Sequence, residues 1–175
     1  MKTIILFSSA NKNGNTAKTV DKVHADHQCE VIHIDELDIT PYRYDNQYPD
    51  DDFYNLLNRI SDADNIVFAS PVYWYAVTAP MKNLIDRMTE LSESPKLKSQ
   101  HQVFKTKRGF VVSSSGNRRM CPVFRAFFSE FFAYNKISYV ATLHACTRSG
   151  YSIDDNEIER FNNALNNATP LHHRG

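Results

Sequence analysis

Residues 2–16 read KTIILFSSANKNGNT, an apolar run followed at once by a polar loop. The run at residues 4–7 does not alternate between apolar and polar side chains, which indicates a β-strand buried on both faces. The loop at residues 8–16 holds hydroxyls, amides and one glycine, and helical spacing of apolar residues begins after Thr16. A strand, a polar loop and a helix in this order predict the first unit of a parallel α/β sheet.

The same unit recurs along the chain without an internal sequence repeat. Each predicted strand is followed by a segment with helical spacing. Residues 92–108, which come after the third of these helical segments, lack a clear pattern and are expected to form a loop. The predicted strands are residues 2–7, 30–34, 65–69, 109–112 and 138–143. Five such units predict an α/β three-layer sandwich, a five-stranded parallel sheet with helices on both faces. Periodicity alone leaves open whether the strand order is flavodoxin-like or Rossmann-like.

The composition suits a single domain over residues 1–175. Twenty basic residues balance twenty acidic ones, so net charge gives no basis for binding nucleic acid or acidic membrane. Flavodoxin-type electron carriers usually have a strong acidic excess, so in this respect the chain does not resemble such a carrier. No stretch approaches the roughly 20 apolar residues that span a bilayer, and three widely spaced cysteines suggest reduced thiols. We therefore expect a cytoplasmic protein with no membrane partner.

The candidate site lies in three loops that follow predicted strands. In an open α/β sheet, ligands bind beyond the carboxyl ends of the strands, where the strand order reverses. The loop at residues 8–16 combines hydroxyls, backbone N–H groups and a helix N-terminus, which favours a phosphate. Lys12 is its only cation, and neither a Walker nor a dinucleotide glycine motif is present. These features favour a phosphate monoester; a polar turn that caps the helix is the alternative.

The second and third loops offer contacts for a flat ring. Residues 70–87 read SPVYWYAVTAPMKNLIDR and place three aromatic side chains, 73–75, just after a strand. A flavin ring needs apolar flat contact with polar backbone at its edge, although the same rings could pack in a core or a subunit interface. Residues 113–117, SSSGN, could donate backbone hydrogen bonds to the edge of such a ring.

Together the loops resemble those of the NADPH-dependent FMN reductase and flavodoxin-like oxidoreductase family. Residues 8–16 are similar to that family's G-S-P-R-x-x-x-x-T loop, and residues 70–87 resemble its S-P-x-Y…K-x-x-I-D-R segment. The resemblance, which runs to about residue 117, implies the strand order 2-1-3-4-5 and FMN as the cofactor. It implies phosphate contacts from Ser9, Asn11, Asn15 and Thr16, ring contacts from Pro71, Val72, Tyr73 and Trp74, and contacts to the far edge of the ring from Ser114, Ser115, Gly116 and Asn117.

Some positions depart from the family pattern. Ser8 and Ala10 replace the usual glycine and proline, and Asn11 stands where the family often has arginine. One branch of the family binds an iron–sulfur cluster through cysteines after the second strand. Residues 39–53 of this chain contain no cysteine, so such a cluster is not expected.

The resemblance implies an FMN-dependent NAD(P)H oxidoreductase. NADPH or NADH reduces FMN, leaves, and is replaced by a quinone, a nitro or azo compound, or a free flavin; a homodimer is implied as well. No catalytic triad or metal site is expected, because the flavin carries the chemistry; His172 and His173 lack a third ligand. The rival interpretations are a flavin-binding electron carrier or redox sensor without nicotinamide turnover, and a domain that has lost flavin and binds a protein.

Four charged residues remain to be interpreted. Arg118 and Arg119 follow the third loop and are candidates to bind the 2′-phosphate of NADPH, since arginine clusters suit phosphate. The alternative is a solvated helix start. Asp86 and Arg87 are expected to form ion pairs at a helix end or contacts in an interface.

Overall fold

The computed structural model describes residues 1–25, 29–97 and 102–167. Five parallel strands form one sheet in the order β2-β1-β3-β4-β5. The strands are β1 (Thr3–Phe7), β2 (Cys29–His33), β3 (Asn65–Pro71), β4 (Arg108–Ser115) and β5 (Ser138–Cys146). The flavodoxin-like order is therefore confirmed, and each strand lies within a few residues of its predicted position.

Six α-helices occur in the described residues, and they cover both faces of the sheet. They are α1 (Asn15–Ala25), α2 (Asp52–Ser61), α3 (Ala79–Arg87), α4 (Glu90–Glu93), α5 (Pro122–Tyr134) and α6 (Asp155–Asn166). Thr78 and Asp154 cap α3 and α6: their side chains accept hydrogen bonds from the N–H groups of Met81 and Asn156. The predicted end of α1 near residue 27 lies outside the described residues.

The two faces of the sheet carry separate hydrophobic clusters. Successive residues of a strand point to opposite faces, so Ile4 and Leu6 pack under α2, α3 and α5, whereas Ile5 and Phe7 pack under α1 and α6. The larger cluster includes the buried phenylalanines of α5, whose Phe128 ring centre lies 5.7 Å from that of Phe68 in β3. Every residue of β1 and β3 is buried, which explains their continuous apolar sequences.

The stretch predicted as a loop, residues 92–108, has more structure than expected. It contains the end of α4 and 3-10 turns at Pro95–Leu97 and Gln102–Thr106, and β4 already begins at Arg108. Leu97 and Phe104 are buried and anchor these turns to the larger cluster. Turns of three to five residues are too short to produce a helical pattern of apolar residues, so the sequence could not reveal them.

The charged pair at the end of α3 is structural. Asp86 forms an exposed ion pair with Lys82 at 2.5 Å. Arg87 is completely buried, is hydrogen bonded to Glu90 and lies 3.7 Å from Asp51. The expectation of ion pairs at a helix end is therefore confirmed. No helix within the described residues has the length and apolar character needed to cross a membrane.

Candidate functional site

The carboxyl ends of the central strands surround a cavity of about 320 Å³. It lies at the point where the strand order reverses between β1 and β3, and the three predicted loops all contribute to it. Its lining residues are Ser9, Asn11, Gly14, Asn15, Thr16, Pro71, Val72, Tyr73, Ser114, Ser115, Gly116 and Thr147. The structure thus brings together all the predicted cofactor residues except Trp74 and Asn117, and adds Gly14 and Thr147.

The first loop is held in a compact form by its own polar groups. Gly14 N–H donates to the Asn11 carbonyl at 3.0 Å, and the Ser9 hydroxyl donates to the same oxygen at 3.1 Å. A Cβ at Gly14 would lie 3.1 Å from that oxygen, so any other residue here would require the loop to shift by a few tenths of an ångström. Sequence reasoning did not single out this glycine, although its position just before a helix was the available signal.

The start of α1 presents free donors to the cavity. The first N–H groups of a helix have no intrahelical acceptor. Within the described part of the chain, the N–H groups of Asn15 and Thr16 donate to no protein acceptor. The Thr16 hydroxyl lies 2.8 Å from that of Ser114, which brings a second hydroxyl from β4 to the same place. This set of neutral donors at the positive end of a helix dipole suits a phosphate.

A carboxylate that the sequence analysis missed supports the first loop from behind. Asp35, two residues after β2, accepts hydrogen bonds from the Ser8 hydroxyl at 3.2 Å and from the Ser9 N–H at 3.0 Å. The Ser8 hydroxyl is also hydrogen bonded to Thr78, the cap of α3. Asp35 therefore ties the first loop to the second strand. An acidic residue just after a predicted strand was the only signal for it.

The aromatic loop contains a strained turn. Tyr73 and Ala76 exchange two backbone hydrogen bonds of 2.9 and 3.0 Å, and the two residues between them have positive φ angles, 49° for Trp74 and 68° for Tyr75. This is the pattern of a type I′ turn, which usually requires Asn-Gly. Trp74 is 94% exposed. The structure does not place Trp74 in the cavity lining, so its contact with the flavin ring stays a prediction.

The third loop is fixed by a buried histidine. The Ser113 hydroxyl lies 2.7 Å from His144 Nδ1, and His144 Nε2 lies 3.1 Å from the Asn117 carbonyl. A carbonyl only accepts, so Nε2 carries the proton and Nδ1 accepts from Ser113. Burial lowers the pKa of His144, which favours this neutral form. Asn117 itself lies outside the cavity lining, and its carbonyl anchors the loop to β5.

Arg118 and Arg119 are not brought to this cavity. They line a second cavity of about 480 Å³ beside β5, together with Arg125 and Arg160. Their predicted role toward NADPH thus requires a ligand that extends away from the first cavity. No group of three potential metal-ligating side chains is found in the described residues, and His172 and His173 lie outside them.

The residues that line the first cavity fit FMN. Free N–H groups and hydroxyls at the α1 end match a phosphate monoester, and the Pro71–Tyr73 side of the cavity supplies apolar and aromatic surface for a flat ring. The backbone of residues 114–116 forms the remaining wall. Phosphate donors and ring surface therefore line one cavity, as FMN requires.

Comparison with known proteins agrees with this fit. The profile of the NADPH-dependent FMN reductase family matches residues 1–143. A Bacillus subtilis (strain 168) protein named "Putative NAD(P)H-dependent FMN-containing oxidoreductase YwqN" is 23% identical over 124 residues, which is 67% of this chain and 68% of that protein.

Solved structures share the fold. The Trp repressor binding protein from Bacillus subtilis aligns with a TM-score of 0.73 at 17% identity, over 96% of this chain and 99% of that one. An NADPH-quinone reductase from P. pentosaceus aligns with a TM-score of 0.66 at 16% identity, over 97% and 100%. Because the family profile spans most of the sequence and the cavity suits the cofactor, the chain belongs to the NADPH-dependent FMN reductase family, as an FMN-dependent, NAD(P)H-dependent oxidoreductase.

Proposed function

We propose that this protein oxidises NAD(P)H and reduces a quinone, a nitro or azo compound, or a free flavin, with both substrates using one position over the ring of bound FMN. The cavity formed by the three loops supports this proposal. Bound FMN supplies a ring that accepts a hydride and passes the two electrons on. For a quinone the balance is NAD(P)H plus a proton plus quinone, giving NAD(P)⁺ and hydroquinone. A single shared position requires ping-pong kinetics.

The chain's own residues are assigned to binding and orientation. The N–H groups of Asn15 and Thr16, with the Thr16 hydroxyl, hold the phosphate, and the Ser114 hydroxyl donates its proton to Thr16. Pro71 and Val72 support the ring, and the backbone of the third loop contacts its far edge. His144 holds that loop in place through Asn117. These roles in binding and orientation need no acid–base side chain. The described residues of the cavity lining accordingly include no Asp, Glu, His, Lys or Cys.

The turn at residues 73–76 supports a proposed homodimer. Trp74 is 94% exposed, Tyr75 61% and Tyr73 47%, so three neighbouring aromatic side chains face outward beside the cavity. Aromatic residues are enriched in subunit interfaces, and a second copy could cover these rings and complete the flavin site. We further propose that residues 1–175 form a single FMN-binding domain and act in the cytoplasm, where reduced thiols persist.

A rapid-mixing experiment tests the enzymatic function. FMN-loaded protein is mixed without oxygen with excess NADPH or NADH, and the flavin absorbance is followed. We expect at least one nucleotide to bleach the flavin, and subsequent addition of a quinone to restore the colour. If dithionite bleaches the flavin while neither nucleotide does so within minutes, the proposal is wrong and the chain is an electron carrier or redox sensor.

A further inference from the structure

Five arginines converge on a groove beside the edge strand β5. The 480 Å³ cavity adjoins another of about 600 Å³, and both are lined by Arg118, Arg119, His144 and Glu157. Arg125 and Arg160 line the first of these cavities, and Arg148 lines the second. We call this surface, lined by Arg118, Arg119, Arg125, Arg148 and Arg160, the arginine groove. None of its described lining residues also lines the FMN cavity.

The positive charge of the groove is not neutralised by the protein. Over residues 1–25, 29–97 and 102–167, none of these five guanidinium groups has a carboxylate within 4 Å. Within the part of the chain that the structure describes, Arg148 and Arg160 donate hydrogen bonds to the backbone carbonyls of Gly116 and Asn156 alone. Among the described residues, the acidic ones in the lining are Glu157 and Asp154. Because the whole chain has zero net charge, the excess of positive charge is a property of this groove and not of the chain as a whole.

Clustered guanidinium groups favour phosphates. Like charges held together repel one another, and the fork of an arginine binds two phosphate oxygens at once, so an anionic ligand relieves the repulsion. The groove also has an apolar part, because Met120, Ala141 and Phe161 line the same cavity. A ligand with phosphates next to a flat base therefore fits it better than a free inorganic anion.

Two contacts connect the groove to the FMN cavity. Arg148 donates to the carbonyl of Gly116, a residue of the FMN cavity lining, and His144 holds the neighbouring Asn117 from the groove side. The third loop therefore forms the rim that separates the arginine groove from the FMN cavity. A long ligand with one end over the flavin could cross this rim and place its other end in the groove.

We infer that the arginine groove binds the adenosine end of NADPH, including its 2′-phosphate, and so makes the protein prefer NADPH to NADH. This inference rests on the proposed function, because it concerns the electron donor of the same reaction. NADPH differs from NADH by that one phosphate, and a site with unpaired guanidinium groups gains from the added charge. The earlier candidates Arg118 and Arg119 become part of a larger site that includes Arg125 and Arg160.

The test changes the two arginines that line the 480 Å³ cavity but not the neighbouring 600 Å³ cavity. In the double variant Arg125→Ala/Arg160→Ala, we expect the ratio of kcat/KM for NADPH to that for NADH to fall at least tenfold. The matched control is Lys2→Ala/Arg59→Ala, which removes two surface charges away from the groove and should leave the ratio unchanged. Glu157→Gln should raise the ratio, because it removes a negative charge from the groove lining.

A binding measurement does not depend on turnover. Adenosine 2′,5′-bisphosphate is titrated calorimetrically into FMN-loaded protein, with adenosine 5′-monophosphate for comparison. We expect the bisphosphate to bind more tightly to the unmodified protein, and that advantage to be lost in the Arg125/Arg160 variant but kept in the Lys2/Arg59 control. Equal binding of the bisphosphate to both variants would overturn the inference.

The two proposals fail in different ways. If both nucleotides bleach the flavin but the NADPH-to-NADH ratio is the same in the unmodified protein and in the Arg125/Arg160 variant, the oxidoreductase function stands and the groove does not select NADPH. If neither nucleotide bleaches the flavin of the unmodified protein, the proposed function itself is wrong.

Discussion

The Thr16 hydroxyl at the start of α1 lies 2.8 Å from the Ser114 hydroxyl at the end of β4, although 98 positions separate the two residues in the chain. Both residues are buried, and both line the FMN cavity. Each hydroxyl carries one proton, and the hydrogen bond between the two residues uses one of these two protons. The second proton is therefore available to donate to a ligand. This pair links the loop proposed to hold the phosphate to the loop proposed to contact the ring edge.

The first prediction concerns this pair. Thr16→Val keeps the β-branched shape and removes the hydroxyl, and the loss of a hydrogen bond to a charged phosphate costs about 1.5–3 kcal/mol. We expect FMN affinity to fall roughly 10- to 150-fold, and riboflavin affinity, which involves no phosphate, to change little. Flavin fluorescence quenching measures both constants. Thr19→Val, one turn further along α1, serves as a control because Thr19 does not line the cavity.

Equal losses of affinity for FMN and riboflavin in the Thr16 variant would contradict this role. They would show that the Thr16–Ser114 hydrogen bond supports the two loops without contributing to phosphate binding.

The second prediction concerns the strained turn. Replacing Trp74 and Tyr75 by Asn and Gly supplies the residues that a type I′ turn prefers, and left-handed backbone costs a bulky residue roughly 1–2 kcal/mol. We expect the apoprotein to become more stable by about 1–3 kcal/mol in urea unfolding, while flavin affinity falls. A lower free energy of unfolding for this variant would contradict the prediction. It would mean that packing of the two rings stabilises the protein by more than the left-handed backbone of the turn destabilises it.

The third prediction concerns Arg87. Its guanidinium carbon lies 3.2 Å from the centre of the Tyr48 ring, and its partners Glu90 and Asp51 are almost fully buried. Arg87→Met leaves these carboxylates buried without their cation, which typically costs about 3–5 kcal/mol. Arg59→Met breaks the half-exposed pair with Glu30, and we expect it to cost no more than about 1 kcal/mol. Urea unfolding of the apoproteins measures both changes.

A second substitution checks the cause of the loss. If the buried charge of Glu90 is responsible, adding Glu90→Met to the Arg87 variant should restore part of the lost stability. A double variant that is less stable than Arg87→Met would show that Glu90 stabilises the protein independently of Arg87.

The fold could be predicted from sequence because its signals are local. The central strands are buried on both faces, so β1 and β3 appear as continuous apolar runs, and the capping residues Thr78 and Asp154 lie next to the helices that they start. The candidate cofactor residues follow these strands directly. The polar loop and the aromatic segment were therefore recognisable without any knowledge of the contacts between them.

The supporting residues could not be predicted, because they depend on pairing between distant segments. His144 reaches the third loop because the β4–β5 register places it opposite Ser113, and that register shifts at Gly109 and Phe110. Asp35 meets the first loop only after β2 has paired with β1. The arginine groove likewise joins α5, α6 and the loop after β4, so no short stretch of sequence contains it.

The fourth prediction uses the pKa of His144. Burial lowers this pKa in the folded protein below its ordinary value near 6.5, so the unfolded chain binds the proton more readily. The contribution of neutral His144 to the free energy of unfolding is therefore fully present above about pH 6.5. It is lost as the pH falls through the lowered pKa that His144 has in the folded protein. His144→Gln removes this titration and disturbs the hydrogen bonds to Ser113 and Asn117, at a cost of about 1–3 kcal/mol near neutral pH.

Other groups also titrate in acid, so the informative quantity is the difference in unfolding free energy between the unmodified protein and His144→Gln. Urea unfolding at pH 7.5 and 5.5 gives this difference, which we expect to be smaller at pH 5.5, because only the unmodified protein loses the histidine's contribution. His33→Gln provides the control: it changes a half-buried histidine at the end of β2, away from the third loop. A difference that stays constant or grows at pH 5.5 would show that His144 does not hold the third loop as a neutral donor.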